Sequence, residues 1–200
     1  MTTPVTGWIL NEDKALKTLL SGMMVSNDKP TPTLTPVGTW YGQPDLEVRK
    51  QSYPYLTIDL IDIREATERA MRNEVTLPYV PDGDTAPTDG TVVRYDFPIP
   101  YDLYYQVRTW TRHPRQDRQI MSELLKRRLP SRYGSLYIPE DDTVRSLFMT
   151  GMIKRDTTED QRRLFSTVFN VRVFTELTQS AAITAAQVHN VTLTVSNTNS

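Results

Sequence analysis

Residues 98–129 constrain this chain more than any other stretch, because they read as one strand running directly into one amphipathic helix. In the strand half Leu103, Tyr105 and Val107 share one side and Tyr104, Gln106 and Arg108 the other, the period of two that a pleated strand imposes. Pro114 lacks an amide hydrogen, so it stops the strand and suits the first turn of a helix. In that helix Ile120, Met121, Leu124, Leu125 and Leu129 form an apolar stripe, while Arg115, Arg118, Glu123 and Lys126 face outward. The unit holds no nucleophile, metal cluster or phosphate loop. A well-formed scaffold without chemistry points toward structure or assembly.

A similar logic orders the rest. A helix is expected from about Asn11 to Met24, with Asn11 as N-cap, Glu12 and Asp13 in the first turn, and Leu16, Leu19, Leu20 and Met23 facing the core. Pro30, Pro32, Pro36, Pro44 and Pro54 forbid a long helix after it, so an extended strand around Thr33–Tyr41 and a loop are expected. Tyr55–Ile63 alternates as a strand, with Leu56, Ile58 and Leu60 on one face and Thr57, Asp59 and Ile61 on the other. The charged segment 64–72 fits either a short helix or a continuation of that strand. Prolines, glycines and aspartates make 78–90 an exposed loop or hairpin tip. Further strands are expected at Thr91–Phe97, Ser135–Ile138 and Phe148–Lys154, with a charged turn at Arg155–Asp160. Phe165–Leu177 is a strand long enough to cross a sheet, with Phe165, Thr167, Phe169, Val171 and Val173 on one face and Val168, Arg172 and Phe174 on the other. After a small polar stretch, 179–186, Val188–Val195 alternates again. The fold class is α+β: a mixed, mainly antiparallel sheet with two helices packed on one face. Residues 1–178 are expected to form a single domain, with 179–200 as a C-terminal extension and assembly arm whose Val191 and Leu193 offer an apolar edge.

Composition narrows the function classes. With 38% hydrophobic and 24% charged residues in a chain of 200, a globular domain with a substantial core is expected. The net charge of −1 supplies no general attraction to nucleic acid or anionic lipid. The absence of cysteine excludes disulfides and thiolate metal sites and fits synthesis in a reducing cytoplasm. No apolar run approaches the roughly 18 residues that span a bilayer, and the N-terminus lacks the pattern of a signal peptide.

Each candidate chemistry has a plainer reading. His113 and His189 are the only histidines, and His113 sits at a strand–helix junction suited to a surface or capping role. Asp59 and Asp62 fall on opposite faces of a strand, which denies them a paired acid–base role. Asp82, Asp84 and Asp89 lack the distal glutamate of a calcium loop. Lys126, Arg127 and Arg128, with Arg132 beyond them, form a basic run. Cations at a helix C-terminus gain about 0.3–1 kcal/mol each from the dipole alone, and Glu140, Asp141 and Asp142 oppose the run downstream. Tyr101, Tyr104, Tyr105 and Trp110 beside Arg108 and Arg112 read either as a stacking platform for bases or, more simply, as sheet packing or a subunit interface. No catalytic, metal or cofactor site emerges, so the chain reads as a non-enzyme without cofactors. The interface candidates are Tyr104, Trp110, Arg127, Arg128, Val191 and Leu193.

The order of pieces carries a resemblance. An N-terminal helix and a proline-rich segment precede Tyr-Pro-Tyr-Leu-Thr-Ile-Asp-Leu-Ile-Asp-Ile. Then come Pro-Tyr-Asp-Leu-Tyr-Tyr-Gln-Val, a helix carrying Arg-Gln-Asp-Arg-Gln, and Arg-Arg-Leu-Phe-Ser-Thr-Val-Phe-Asn-Val-Arg-Val. Over roughly residues 10–177 this resembles the tail-completion and tail-terminator proteins of tailed bacteriophages, including sheath terminators. The resemblance implies a virion neck protein, assembled in the host cytoplasm as a hexameric ring that caps the tail tube or sheath and joins tail to head. Its implied partners are further copies of itself, a tube or sheath protein and a head-side connector. Genomic DNA would only pass through the channel, and no membrane is involved. Rival readings are a head-closure or baseplate protein, and a nucleic-acid-binding module using Lys126–Arg132.

Overall fold

The computed structural model describes residues 8–26, 33–42, 53–71, 73–77, 91–140, 142–159, 162–177 and 183–186. Two compact units emerge: Met1–Ala66 with Pro100–Thr175, and Thr67–Ile99 with Glu176–Ser200. In chain order the elements are α1 (Trp8–Leu20), β1 (Met24–Ser26), β2 (Leu34–Pro36), β3 (Gly38–Tyr41), β4 (Tyr55–Glu65), β5 (Glu74–Leu77), β6 (Thr91–Asp96) and β7 (Ile99–Thr111). They continue with α2 (Pro114–Glu123), extended by a π-helical turn (Leu124–Arg128), then β8 (Gly134–Ile138), β9 (Thr143–Lys154), β10 (Thr157–Glu159), β11 (Arg162–Leu177) and β12 (Ile183–Ala186).

The larger unit is built on a seven-stranded sheet in the order β3-β4-β7-β11-β9-β8, with β10 paired to β11. β3 runs parallel to β4; β4–β7, β11–β9 and β8–β9 are antiparallel. Two contacts, both donated by β11, mark the central pair β7–β11 as antiparallel. Thr109 Oγ1 accepts the Thr167 amide at 3.1 Å, and Arg172 donates to Asp102. The fold is therefore the expected α+β class, with a mixed and mainly antiparallel sheet. Both helices contribute to one buried cluster on one face of it: Leu16 and Leu20 from α1, Ile120 and Leu124 from α2 and its π turn, and Leu56, Ile58, Leu103, Tyr105, Val107, Phe169 and Val171 from the sheet.

Two extra residues break the alternation. Leu60 faces Tyr105 but Asp62 faces Tyr104, so Ile61 is bulged out of β4. Asn170 faces Gly151 but Val171 faces Met149, which makes Thr150 the corresponding extra residue on β9. Leu60, expected inside with Leu56 and Ile58, is exposed, because β4 overshoots β3 beyond Ile58 and the bulge interrupts its face. The overshooting edge is blunted by its own side chains. Asp62 Oδ1 accepts the Ile63 amide at 2.9 Å, and Arg64 Nε donates to Asp62 Oδ2 at 2.6 Å. Of segment 64–72 the strand takes only Arg64 and Glu65, and 67–69 form a turn; among the described residues of the segment there is no helix.

The smaller unit has its own sheet, β12-β6-β5, antiparallel throughout, with Leu77 opposite Val93 and Ile183 opposite Arg94. Ile183–Ala186, in the stretch read as a weakly structured link, is a strand, and its partner lies about ninety residues earlier. The expected loop at 78–90 and the expected strand at 188–195, with His189, Val191 and Leu193, lie outside the described residues.

Both helices depart from the sequence reading at their ends. α1 starts at Trp8 and stops at Leu20. Trp8 packs on Tyr101 with ring centroids 5.5 Å apart, which adds a turn and places Asn11 inside the helix instead of at its cap. Asn11 and Glu12 are buried, and the Thr175 hydroxyl donates to the Glu12 carboxylate. Gly22, at φ +78°, supplies the left-handed residue that ends the helix. In α2 the π turn resolves a spacing problem. Leu129 follows Leu124 by five positions, and its amide bonds to the Leu124 carbonyl at 2.7 Å, so Ile120, Leu124 and Leu129 are all fully buried while Leu125 turns outward. The same turn brings the Arg128 guanidinium to the Leu19 carbonyl and, at 2.6 Å, to the Ser21 carbonyl, capping the exit of α1.

Leu124→Ala is expected to cost about 2–5 kcal/mol, the range for emptying a fully buried leucine site. The check is urea unfolding of both proteins; a change within error of zero would mean that Leu124 does not hold α2 to the sheet.

Candidate assembly surface

Alternation along β7 sends Leu103, Tyr105 and Val107 to the helices, so Tyr104, Gln106, Arg108 and Trp110 populate the opposite face, each half-buried. Rings and guanidinium groups collect there in two clusters. In the first, Trp110 stacks on Tyr55 at 6.1 Å and Tyr55 meets Tyr53 at 5.3 Å. Arg108 lies 5.3 Å over the Trp110 ring and Arg112 4.7 Å over Tyr53. In the second, Tyr104 lies between Arg64 at 5.3 Å and Arg172 at 5.8 Å. Arg172 also covers Phe174 at 4.7 Å, and Phe174 meets Phe148 at 5.2 Å. Such contacts hold long side chains in place and contribute about 0.5–1 kcal/mol each where exposed.

The surface is nearly neutral. Arg172 is paired with Asp102 and Arg64 with Asp62. Asp59 sits close enough to Arg108 to feel its charge: burial raises the Asp59 carboxyl above its usual value, and the Arg108 guanidinium pulls it part of the way back. Arginines already matched by carboxylates and stacked on rings suit a protein partner better than a phosphate backbone, whose binding depends on unmatched cations. Trp110 leaves its buried indole N–H without an acceptor among the described residues.

Sequence reasoning located four of the ten ring and arginine residues of this surface. Tyr104 and Trp110 are on it, together with Arg108 and Arg112. Tyr101 and Tyr105 are not. Tyr105 follows the inward phase of β7, is buried, and donates to Asp13 Oδ1 at 2.7 Å, whereas Tyr101 serves Trp8. Tyr53, Tyr55, Arg64, Phe148, Arg172 and Phe174 were missed. The outward pairing of Arg172 with Phe174 was visible in the β11 alternation, but its adjacency to β7 was not.

The basic run does not form one patch. Arg128 is drawn inward to α1, while Arg127 stays exposed. Their acidic neighbour is Glu123, at 3.8 Å from Arg127 and 3.6 Å from Arg128. The downstream acids are engaged elsewhere: Glu140 with Lys14 and Asp142 with the Tyr137 hydroxyl. His113 is exposed at the start of α2, and its side chain makes no cap. Among the described residues no cluster of His, Asp or Glu could hold a metal ion, and no helix is long and apolar enough to cross a membrane.

No family model and no curated protein matches the chain. Among solved structures, its fold is similar to that of the sheath/tube terminator of the extracellular contractile injection system PVC in its extended state. The TM-score is 0.51 at 16% identity, over 98% of this chain and 65% of that one. The chain therefore spans about two thirds of the length of that structural neighbour, and the likeness is one of fold.

Asp59→Asn tests the electrostatics of this face. A carboxyl whose folded-state value is raised stabilises fully below the ordinary aspartate value, about 3.9, and loses that contribution as pH climbs through the raised value. The variant lacks this loss, so its Tm relative to wild type should be higher at pH 7 than at pH 3.5. A difference independent of pH would show that Asp59 carries no such cost.

Proposed function

We propose that this chain is a structural terminator of a contractile tail or injection assembly. It binds the last sheath or tube ring and presents no further copy of the surface on which growth depends. The observation that carries this reading is the fold shared with a sheath/tube terminator across nearly the whole chain. A half-buried field of tyrosine, tryptophan and arginine supports it, since these residue types concentrate binding energy at protein interfaces. In this reading the chain is not an enzyme. Its partners are its own copies in a ring, six by the phage resemblance, then the sheath or tube protein and, in a virion, a head-side connector. Nucleic acid would only pass through the channel.

The face carrying Tyr104 and Trp110 is the proposed docking surface. Arg127, exposed on the π turn, lies on the helix side of the sheet and outside this surface; Arg128 is committed to α1. The C-terminal arm is retained in shorter form. Since 183–186 already pairs within its own chain, the arm comprises 187–200 with Val191 and Leu193.

Purified protein mixed with sheath–tube assemblies should decorate their ends and not their length in negative-stain microscopy. Decoration along the length, or none, would sink the terminator reading. Trp110→Ala removes a half-buried ring from this face, so it should weaken end docking by at least about tenfold, with urea unfolding of the same variant separating that loss from its cost to the fold. Truncation after Ala186 should leave the fold intact, by circular dichroism, and reduce docking or ring formation; normal assembly of the truncated chain would remove the arm from the account.

A further inference from the structure

Among the described residues the main sheet has two open edges, and they match. β3 ends the sheet on one side. On the other side β8 covers β9 only from Thr143 to Leu147, and the Pro130 carbonyl takes the Met149 amide at 3.3 Å. Residues 151–154 of β9 are left without a neighbour on their outer side among the described residues.

These two edges lie on the same rows of the sheet. Thr39 faces Leu56, Leu56 faces Thr109, Thr109 bonds Thr167, and Thr167 faces Lys154. Two residues along, Tyr41 faces Ile58, Ile58 faces Val107, and Phe169 faces Met152. A second copy set beside the first, with no slip along the strands, brings β3 against 151–154. Strand directions alternate across β4, β7, β11 and β9, so the new pair is antiparallel.

The hydrogen-bonding phase matches too. The Gly38 and Gly42 amides bond to the Pro54 and Ile58 carbonyls, so those of Thr39 and Tyr41 point to the open side. The Arg155 amide bonds inward to Ser166 at 2.7 Å, so those of Met152 and Lys154 point outward. An antiparallel ladder pairs outward residue with outward residue, which gives Thr39 with Lys154 and Tyr41 with Met152. A one-residue slip would break both. The side chains concur. Trp40, Tyr41, Met152 and Ile153 are 40%, 45%, 42% and 48% exposed, and this register sets Tyr41 on Met152 and Trp40 on Ile153.

We propose that copies of this chain join through this edge, β3 of one to residues 151–154 of the next, so that the sheet continues from subunit to subunit. The joint rests on the ring reading above and gives it a mechanism. It is head-to-tail, leaves the same two edges free at the ends of any open string, and is complete only when the string closes.

The test uses two edge-blocked variants of the full chain, with native mass spectrometry of each. Thr39→Pro and Met152→Pro each remove an outward amide. Wild type should form a closed ring and each variant alone should remain monomeric. An equimolar mixture should give a heterodimer and nothing larger, because each variant contributes one intact edge. A charge pair addresses the same contact without altering the backbone: Tyr41→Glu with Met152→Glu in one chain should abolish the ring, and Tyr41→Glu with Met152→Lys should restore it. Wild type that stays monomeric at all concentrations overturns the ring reading and the joint with it. Rings formed by wild type and equally by either proline variant alone, or no rescue by the opposite charges, overturn the joint and leave the ring reading standing.

Discussion

Strand β7 is paired on both sides, to β4 and to β11, and its alternation governs both faces of the larger unit. Every second residue from Leu103 to Thr111 is buried and faces the helices, so the intervening Tyr104, Arg108 and Trp110 must face away. A strand so placed has no freedom to slip, because a one-residue shift would bury arginines under α1 and expose leucine and valine. The helices and the ring-and-arginine surface are two sides of one constraint.

Polar groups inside the core reinforce that register. Glu12 of α1 receives the Thr175 hydroxyl of β11, Asp13 receives the Tyr105 hydroxyl of β7, and Asp117 of α2, 1% exposed, is bonded to Lys154 of β9 at 2.6 Å. A buried carboxylate gains little net free energy from its partner, since desolvation offsets most of the attraction. Mispairing one is costly. Their effect here is to make each helix fit the sheet in one position. Lys154 also has two separate roles: its side chain is held toward α2 while its backbone remains on the outer edge of β9.

How far the sequence revealed this depends on the range of each interaction. β4, β7, β11 and α2 were legible because period two and period 3.6 are local properties of Leu56 and Ile58, of Leu103 through Val107, and of Ile120 and Leu124. The bulges at Ile61 and Thr150 were not, since a bulge is defined by what lies opposite it. The π turn had a local trace, the five-residue interval from Leu124 to Leu129 where four was due. The burial of Asn11 and Glu12 had none; both fit the start of a helix, and only Thr175 explains their position. Most of the ring-and-arginine surface was missed, since groups such as Arg172 and Phe174 reach Tyr104 only once β11 lies beside β7.

The two bulges occupy equivalent places. Each adds a residue to a strand that flanks the central β7–β11 pair, Ile61 to β4 and Thr150 to β9. A flank with an extra residue follows a longer path than the centre, and a sheet answers that mismatch by twisting and bending. Curvature is thus written into the chain at two single positions. In any closed assembly of such sheets, the angle between neighbours, and through it the radius of the circle and the width of its lumen, is set in part by residues that do not touch the joint at all.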